Sequence, residues 1–165
     1  MTRVLYKVAL RFLRHPLWIA SPAACTRFTS YLLRKLGARI SGVPNYLSAK
    51  VWFDGSDYSL ISIGHGATIS SNVRILTHDW SPYTAARAIL GDEIAPKGPI
   101  APVVLKDYAF VGTGAVILPG TVIGRGTIVG AGAVVKGDIP DGAIVVGNPA
   151  KVIGSANAIV KKYYG

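Results

Sequence analysis

From Leu105 onward an aliphatic residue recurs at every sixth position: Leu105, Val111, Ile117, Ile123, Val129, Val135. Four residues after each stand Ala109, Ala115, Thr121, Thr127, Ala133 and Ile139, all small but the last. The same frame appears earlier at Ile63, Ile69 and Ile75, with Ala67 and Val73 four residues on; Val51 is in phase, and Asp57 breaks the pattern. A period of six fits neither the 3.6-residue turn of an α-helix nor the alternation of a hairpin sheet. It is the signature of an all-β solenoid, a parallel β-helix of hexapeptide units. Each unit supplies a short strand and a turn. The aliphatic residue points inward and stacks on its equivalents, the small residue fits the corner, and glycines take turn positions. Such a stack buries its core only by repetition.

Between Ile75 and Pro99 the frame fails. Residues 79–98, with Trp80, Pro82, Tyr83, Arg87, Asp92, Glu93, Pro96 and Lys97, read as a loop leaving the coil inside a β-helix domain of residues 41–165. Long loops on rigid scaffolds commonly carry function.

Residues 1–40 read as a basic helical arm. Arg3, Lys7, Arg11, Arg14, Arg27, Arg34, Lys35 and Arg39 supply +8 of the net charge of +10, and no acid accompanies them. Residues 3–14 read as a helix with Arg3, Lys7, Arg11 and Arg14 in one stripe and Leu5, Val8 and Phe12, with Val4, Ala9 and Leu13, on the other side. Pro16 ends or bends it. A second helical stretch runs from Ala23 to Leu36 and stops at Gly37. Two roles suit residues 1–36. The stripe and apolar face can lie on an anionic membrane as a peripheral contact, or the apolar face can cap the solenoid. Both hold at once if the cap leaves the stripe exposed.

The single cysteine, Cys25, cannot form an intramolecular disulfide, and no Cys cluster exists for zinc. It reads as a small buried thiol, which fits a reducing, cytoplasmic compartment. The apolar stretch Leu17–Cys25 is far shorter than the roughly 20 residues of a membrane span and contains Pro22. Arg11, Arg14 and His15 interrupt what would be a signal-peptide core. No phosphate-loop or dinucleotide motif is present, and the arm carries no nucleic-acid-binding motif.

The run PVVLKDYAFVGTGAVILPGTVIGRGTIVGAGAVVKGDIP, the tail VGNPAKVIG and ILTHD at residues 75–79 together resemble the hexapeptide-repeat acetyltransferases. The likeness is greatest to the sugar O-acetyltransferases of surface-polysaccharide pathways and to galactoside and maltose acetyltransferases, and it covers roughly residues 40–154. The resemblance implies a left-handed coil of triangular section with three hexads per turn. It also implies a homotrimer with active sites in the clefts between chains, acetyl-CoA as co-substrate with no metal, and a carbohydrate acceptor.

On that resemblance His78, in ILTHD, is the catalytic histidine. The chemistry asks for one, because a neutral alcohol attacks a thioester poorly unless a base removes its proton. Asp79 is a candidate to orient the ring or to bind the acceptor, and equally to cap a turn. Trp80 and Tyr83 are candidates to stack on a sugar face, Asp92 and Glu93 to accept its hydroxyls. Phe110, Thr113 and Ala131 match positions along the pantetheine arm of CoA, and Lys151 a position near its phosphates. The family often has Thr-Lys before the DIP segment, where this chain has Lys136 and Gly137. Some relatives have Arg where this chain has Gly154. Phosphate contacts then rest on Lys136 and Lys151. His65, in a GHGAT turn, reads as an outward turn residue and His15 as a surface residue. Cys25 lies outside the repeats, which favours direct transfer over an acyl-enzyme.

Three other readings share the repeats or the charge. A γ-class carbonic anhydrase needs three zinc-binding histidines in a pattern that His15, His65 and His78 do not supply. A non-enzymatic scaffold docked on membrane would use only the arm and the coil. N-acetylation of an amino sugar would use the same site on a different nucleophile.

Overall fold

The computed structural model describes residues 2–165. Three helices come first: α1 (Arg3–Phe12), α2 (Arg14–Ala20) and α3 (Pro22–Leu36). Fourteen short strands then run in sequence: β1 (Arg39–Ile40), β2 (Tyr46–Leu47), β3 (Trp52–Phe53), β4 (Ile61–Ile63), β5 (Thr68–Ile69), β6 (Arg74–Ile75), β7 (Val103–Leu105), β8 (Phe110–Val111), β9 (Val116–Ile117), β10 (Val122–Ile123), β11 (Ile128–Val129), β12 (Val134–Val135), β13 (Asp138–Ile139) and β14 (Ala143–Val146). Helix α4 (Ser81–Leu90) interrupts them between β6 and β7, and β15 (Lys151–Ser155) and α5 (Ala156–Tyr164) follow.

Each strand pairs in parallel with the strand three places on. The first sheet is β1-β4-β7-β10-β13 and the third is β3-β6-β9-β12. The second is β2-β5-β8-β11-β14, to whose last strand β15 adds antiparallel. The chain therefore visits the three sheets in rotation and turns three corners per coil. A regular coil takes eighteen residues, as Val104 opposite Val122, Phe110 opposite Ile128 and Val116 opposite Val134 show. Leu47, Ile69, Val111, Val129 and Val145 stack inward on the second sheet without exposure. Burial of each such side chain contributes about 1.5–3 kcal/mol. At the small corner positions Thr121 and Thr127 are buried as fully as the alanines. Their hydroxyls donate to the carbonyls of Leu118 and Pro140, both at 2.7 Å. Glycine is required where one coil passes against the next: a Cβ on Gly64 would lie 2.4 Å from the Asp107 nitrogen, and one on Gly112 would lie 2.6 Å from that of Ala131.

The first coil departs from the frame. Tyr46 lies opposite Thr68 and Trp52 opposite Arg74, a spacing of twenty-two. Phe53 accordingly fills the inward position beneath Ile75, and Val51, in phase by counting, sits at the corner beneath Val73. The excursion expected at residues 79–98 leaves the stack there, but it is not loop throughout: α4 forms, with Pro82 in its first turn, where a proline nitrogen forfeits no hydrogen bond.

Helix α3 caps the first coil through buried Leu32, Leu33 and Leu36. It starts at Ser21, whose hydroxyl accepts from the Ala24 nitrogen at 3.2 Å, and ends at Gly37 with φ of 111°. Pro16 does not end the first helical stretch. The break falls at Leu13, and Pro16 sits in the first turn of α2. Of the two roles open to the apolar face of α1, capping the coil is not the one its outer residues take. Ala9 and Leu10 are its buried residues, while Val4, Leu5, Val8 and Phe12 are exposed. The basic stripe instead turns toward the coil: Arg3 donates to the Leu36 carbonyl, Lys7 to that of Gly55, and Arg14, buried, to that of Val51. Carbonyls at a capped solenoid end need donors, and these long side chains provide them.

Candidate active site

The corner between the third and first sheets carries the chain's concentration of polar chemistry. As the chain leaves β3, Asp54 lies under the next coil and is only 2% exposed. Its Oδ1 accepts from the Ser56 nitrogen at 3.1 Å and the Ser56 hydroxyl at 3.0 Å. Its Oδ2 accepts from the Thr77 nitrogen at 3.0 Å and the Thr77 hydroxyl at 2.8 Å. Oδ2 also meets Nδ1 of His78 at 2.5 Å. Burial pushes the Asp54 carboxyl up, but the hydrogen bonds from Thr77 and Ser56 together outweigh it and bring the pKa down to about 2. An ionised carboxylate only accepts, so Nδ1 of His78 carries the hydrogen, and a ring in its neutral form would present its lone pair at Nε2. The His78 side chain is 30% exposed.

The neck of the excursion frames His78. Ala101 donates its N–H to the Thr77 carbonyl, Asp79 to that of Pro99, and His78 bridges to Ile100. The Trp80 ring lies 5.9 Å from the His78 ring, tilted by 47°. Gly98 is close-fitting beside them, since a Cβ there would come within 2.3 Å of the Asp79 carbonyl oxygen.

The carboxylate on the His78 ring is therefore that of Asp54, which the sequence reading passed over, and not that of Asp79. Asp79 is exposed and accepts from the Ser81 nitrogen at 2.9 Å, capping the turn into α4. That bond, with the nearby Lys136 charge a smaller influence, lowers its pKa. Trp80 stays beside His78, whereas Tyr83 and Asp92 are engaged within the excursion: Arg87 pairs with Asp92 at 2.6 Å and lies over the Tyr83 ring at 5.9 Å. Glu93 is exposed on the same segment.

The residues expected along CoA divide between corners. Lys136 follows β12 and stands at the corner of His78, two coils on. Thr113 and Ala131 stand at the corner between the second and third sheets, stacked so that the Gly132 N–H donates to the Thr113 carbonyl at 2.8 Å. Phe110 faces outward on β8, 40% exposed, and Lys151 opens the antiparallel β15. The third sheet separates Thr113 and Ala131 from His78 in one chain. Of the other histidines, His65 sits at the first-to-second corner edge-on to Tyr108, and His15 lies on α2 beside Trp18. Cys25 is fully buried in α3.

Residues 102–137 match the family model described as bacterial transferase hexapeptide (six repeats). Over 130 residues, 79% of this chain and 73% of the relative, the sequence is 40% identical to Protein CapG of Staphylococcus aureus. A 77-residue stretch is 39% identical to the 2,3,4,5-tetrahydropyridine-2,6-dicarboxylate N-acetyltransferase of Staphylococcus aureus (strain JH9), covering 47% of this chain and 32% of that longer one. Among solved structures, a galactoside acetyltransferase in complex with coenzyme A aligns over 99% of this chain and 84% of its own, with a TM-score of 0.66 and 23% identity. A maltose O-acetyltransferase from Clostridium difficile 630 aligns over 93% and 85%, with a TM-score of 0.63 and 23% identity. At these identities the structural likeness speaks for the fold.

Proposed function

Because this chain belongs to the bacterial transferase hexapeptide family, we propose that it is an acyltransferase, and specifically an acetyl-CoA-dependent O-acetyltransferase acting on a carbohydrate hydroxyl in surface polysaccharide or glycolipid synthesis. The observation that carries the reading is the Asp54–His78 pair, which holds Nδ1 of a partly exposed imidazole on a buried carboxylate and leaves Nε2 unpaired with it. In this mechanism Nε2 of His78 takes the hydroxyl proton as the acceptor oxygen bonds to the thioester carbonyl carbon. The tetrahedral intermediate collapses with loss of the C–S bond, and the imidazolium returns its proton to the leaving CoA sulfur. Asp54 stabilises the imidazolium and fixes the ring. No acyl-enzyme is needed, and the one thiol, Cys25, is fully buried and far along the chain.

The division of the site between two corners supports a homotrimer in which Thr113, Ala131 and Phe110 of one chain face His78 of the next; the left-handed coil rests on the family resemblance. Lys136 and Lys151 then meet the CoA phosphates as point charges. A cytoplasmic reaction is part of this proposal and fits a need for acetyl-CoA. Likeness to an N-acetyltransferase over 77 residues supports a second reading, transfer to the amine of an amino sugar at the same site.

The test is an acceptor screen with radiolabelled acetyl-CoA that includes soluble sugars, amino sugars and lipid-linked glycans. The proposal expects label released by mild base, as an ester is. Label stable to base would mean an amide and the second reading. Acetyl-CoA consumption that no acceptor stimulates would refute both.

A further inference from the structure

A cavity of about 300 Å³ lies between α1 and the first coil, lined by Lys7, Arg11 and Arg14 from the helices and by Trp52, Phe53 and Tyr58 from the coil. Three of these are cations, and among the described residues no acid lines the cavity. The neighbouring Asp54 has both oxygens engaged by Ser56, Thr77 and His78. Arg14 is 8% exposed; its Nε donates to the Leu10 carbonyl, its Nη2 to that of Val51 at 2.9 Å, and its guanidinium lies 5.6 Å over the Phe53 ring. Its buried Nη1 has no hydrogen-bond partner among the described residues. Guanidinium stays protonated in proteins, so this buried, incompletely paired cation keeps positive charge beside the cavity. Lys7 reaches the Gly55 carbonyl at 3.0 Å and lies over the Tyr58 ring, and Arg11 is exposed at the rim.

The same helix carries a second, independent feature. Val4 is 68% exposed, Leu5 51%, Val8 48% and Phe12 64%, with Leu13 and Ile19 continuing the ridge onto α2. Val4 and Val8 alternate along the helix with Lys7 and Arg11, so the ridge borders the cationic cavity directly. No acid occurs in the chain before Asp54. None of the described helices is long and apolar enough to cross a membrane. An exposed apolar ridge flanked by cations, without compensating acids, is complementary to an anionic bilayer surface.

We propose that α1 lies in the surface of an anionic membrane, its apolar ridge among the acyl chains, and that the cavity behind it takes the phosphate of a lipid headgroup. A phosphate offers charge and acceptor oxygens that the Lys7 and Arg11 cations match, with the buried Arg14 charge behind them. The ridge selects a phosphate joined to apolar chains over one free in solution. The inference stands on α1 and the first coil and does not depend on the acyl-transfer reading.

Co-sedimentation of the full chain with vesicles tests it, using phosphatidylcholine alone and phosphatidylcholine with phosphatidylglycerol, at low and high salt. The wild type is expected to sediment with the anionic vesicles and to lose binding as salt rises. Lys7→Ala with Arg11→Ala, and separately Val8→Asp with Phe12→Asp, should each weaken that binding by about ten-fold or more. Both pairs include surface positions, and unchanged thermal melting would confirm that they fold. Binding to neither vesicle, equal binding to both, or anionic binding indifferent to either pair would overturn the proposal. Thermal stabilisation by inorganic phosphate that the Lys7/Arg11 pair abolishes, without vesicle binding, would reassign the cavity to a soluble anion and overturn it as well.

Discussion

Asp54 and His78 are twenty-four residues apart in the chain and 2.5 Å apart in space, joined through the first coil and the one stacked on it. Four other donors, two each from Ser56 and Thr77, fix the Asp54 carboxylate before it reaches the ring. The imidazole is thereby held by a group that cannot itself swing, which is the preorganisation a general base needs.

Replacing the base should show this directly. His78→Ala is expected to lower turnover by about 10²- to 10⁴-fold while leaving thermal melting near that of the wild type. Thioester consumption with a productive acceptor measures it, and wild-type-like turnover would remove His78 from the mechanism.

The two aspartates should separate. Asp54→Asn leaves the ring without its anionic partner and lets an amide N–H face Nδ1, favouring the wrong tautomer, so turnover should fall by about 10²-fold. Asp79→Ala removes only a turn cap and should change turnover by less than about three-fold. Equal losses in the two variants would contradict the assignment of the orienting role to Asp54.

Asp54 also sets an acid limit. Its pKa falls from the usual 3.8 to about 2 on folding. The stabilisation is therefore complete above about pH 4 and is lost as pH falls from 4 through 2, amounting to about 2 kcal/mol. Urea unfolding followed over that range should show the loss in the wild type and a flatter profile in Asp54→Asn.

Packing between coils gives a prediction independent of the chemistry. A Cβ on Gly112 would press on backbone of the coil above, at Ala131 N, which cannot rotate away as a side chain can. Gly112→Ala should cost about 1–3 kcal/mol. Gly114, whose Cβ would meet nothing but whose φ is 71°, should lose stability for the different reason of backbone strain. Denaturant midpoints for the two alanine variants measure both.

Assembly is checked by light scattering. The proposed homotrimer should scatter as three times the 17.4 kDa chain. An active monomer would mean that Thr113 and Ala131 do not face a neighbour's His78.

The repeat was legible because each hexad encodes its own strand and corner. Leu105 through Val135 occupy the inward positions that counting assigns them. Asp54 was not legible because its partner lies one coil away, and the length of that coil, twenty-two residues rather than eighteen, is set by a 3₁₀ turn at Tyr58–Leu60 that counting in sixes cannot register. Adding that coil length to Asp54 lands on Leu76, inside ILTHD, so knowledge of the length would have brought Asp54 to the motif. The amphipathic pattern of α1 was legible, but not which side faces inward. That depends on Arg14 satisfying the Val51 carbonyl, a contact thirty-seven residues distant. Helix α4 was missed because a break in one periodicity was read as absence of any, although Pro82 followed by an alanine-rich run is itself a helix start.

The two large departures from the eighteen-residue coil, residues 54–60 and 76–102, fall at the same corner, whereas the second-to-third corner keeps four residues in every coil that turns there. One residue added at the invariant corner would flip the pleat of the strand that follows. A whole segment added at the other leaves the ladders above and below undisturbed. The edge bearing His78 is thus the place where a lineage of such proteins is free to lengthen, trim or exchange chain. Divergence in acceptor can proceed there by substitution of entire segments while the scaffold descends almost unaltered.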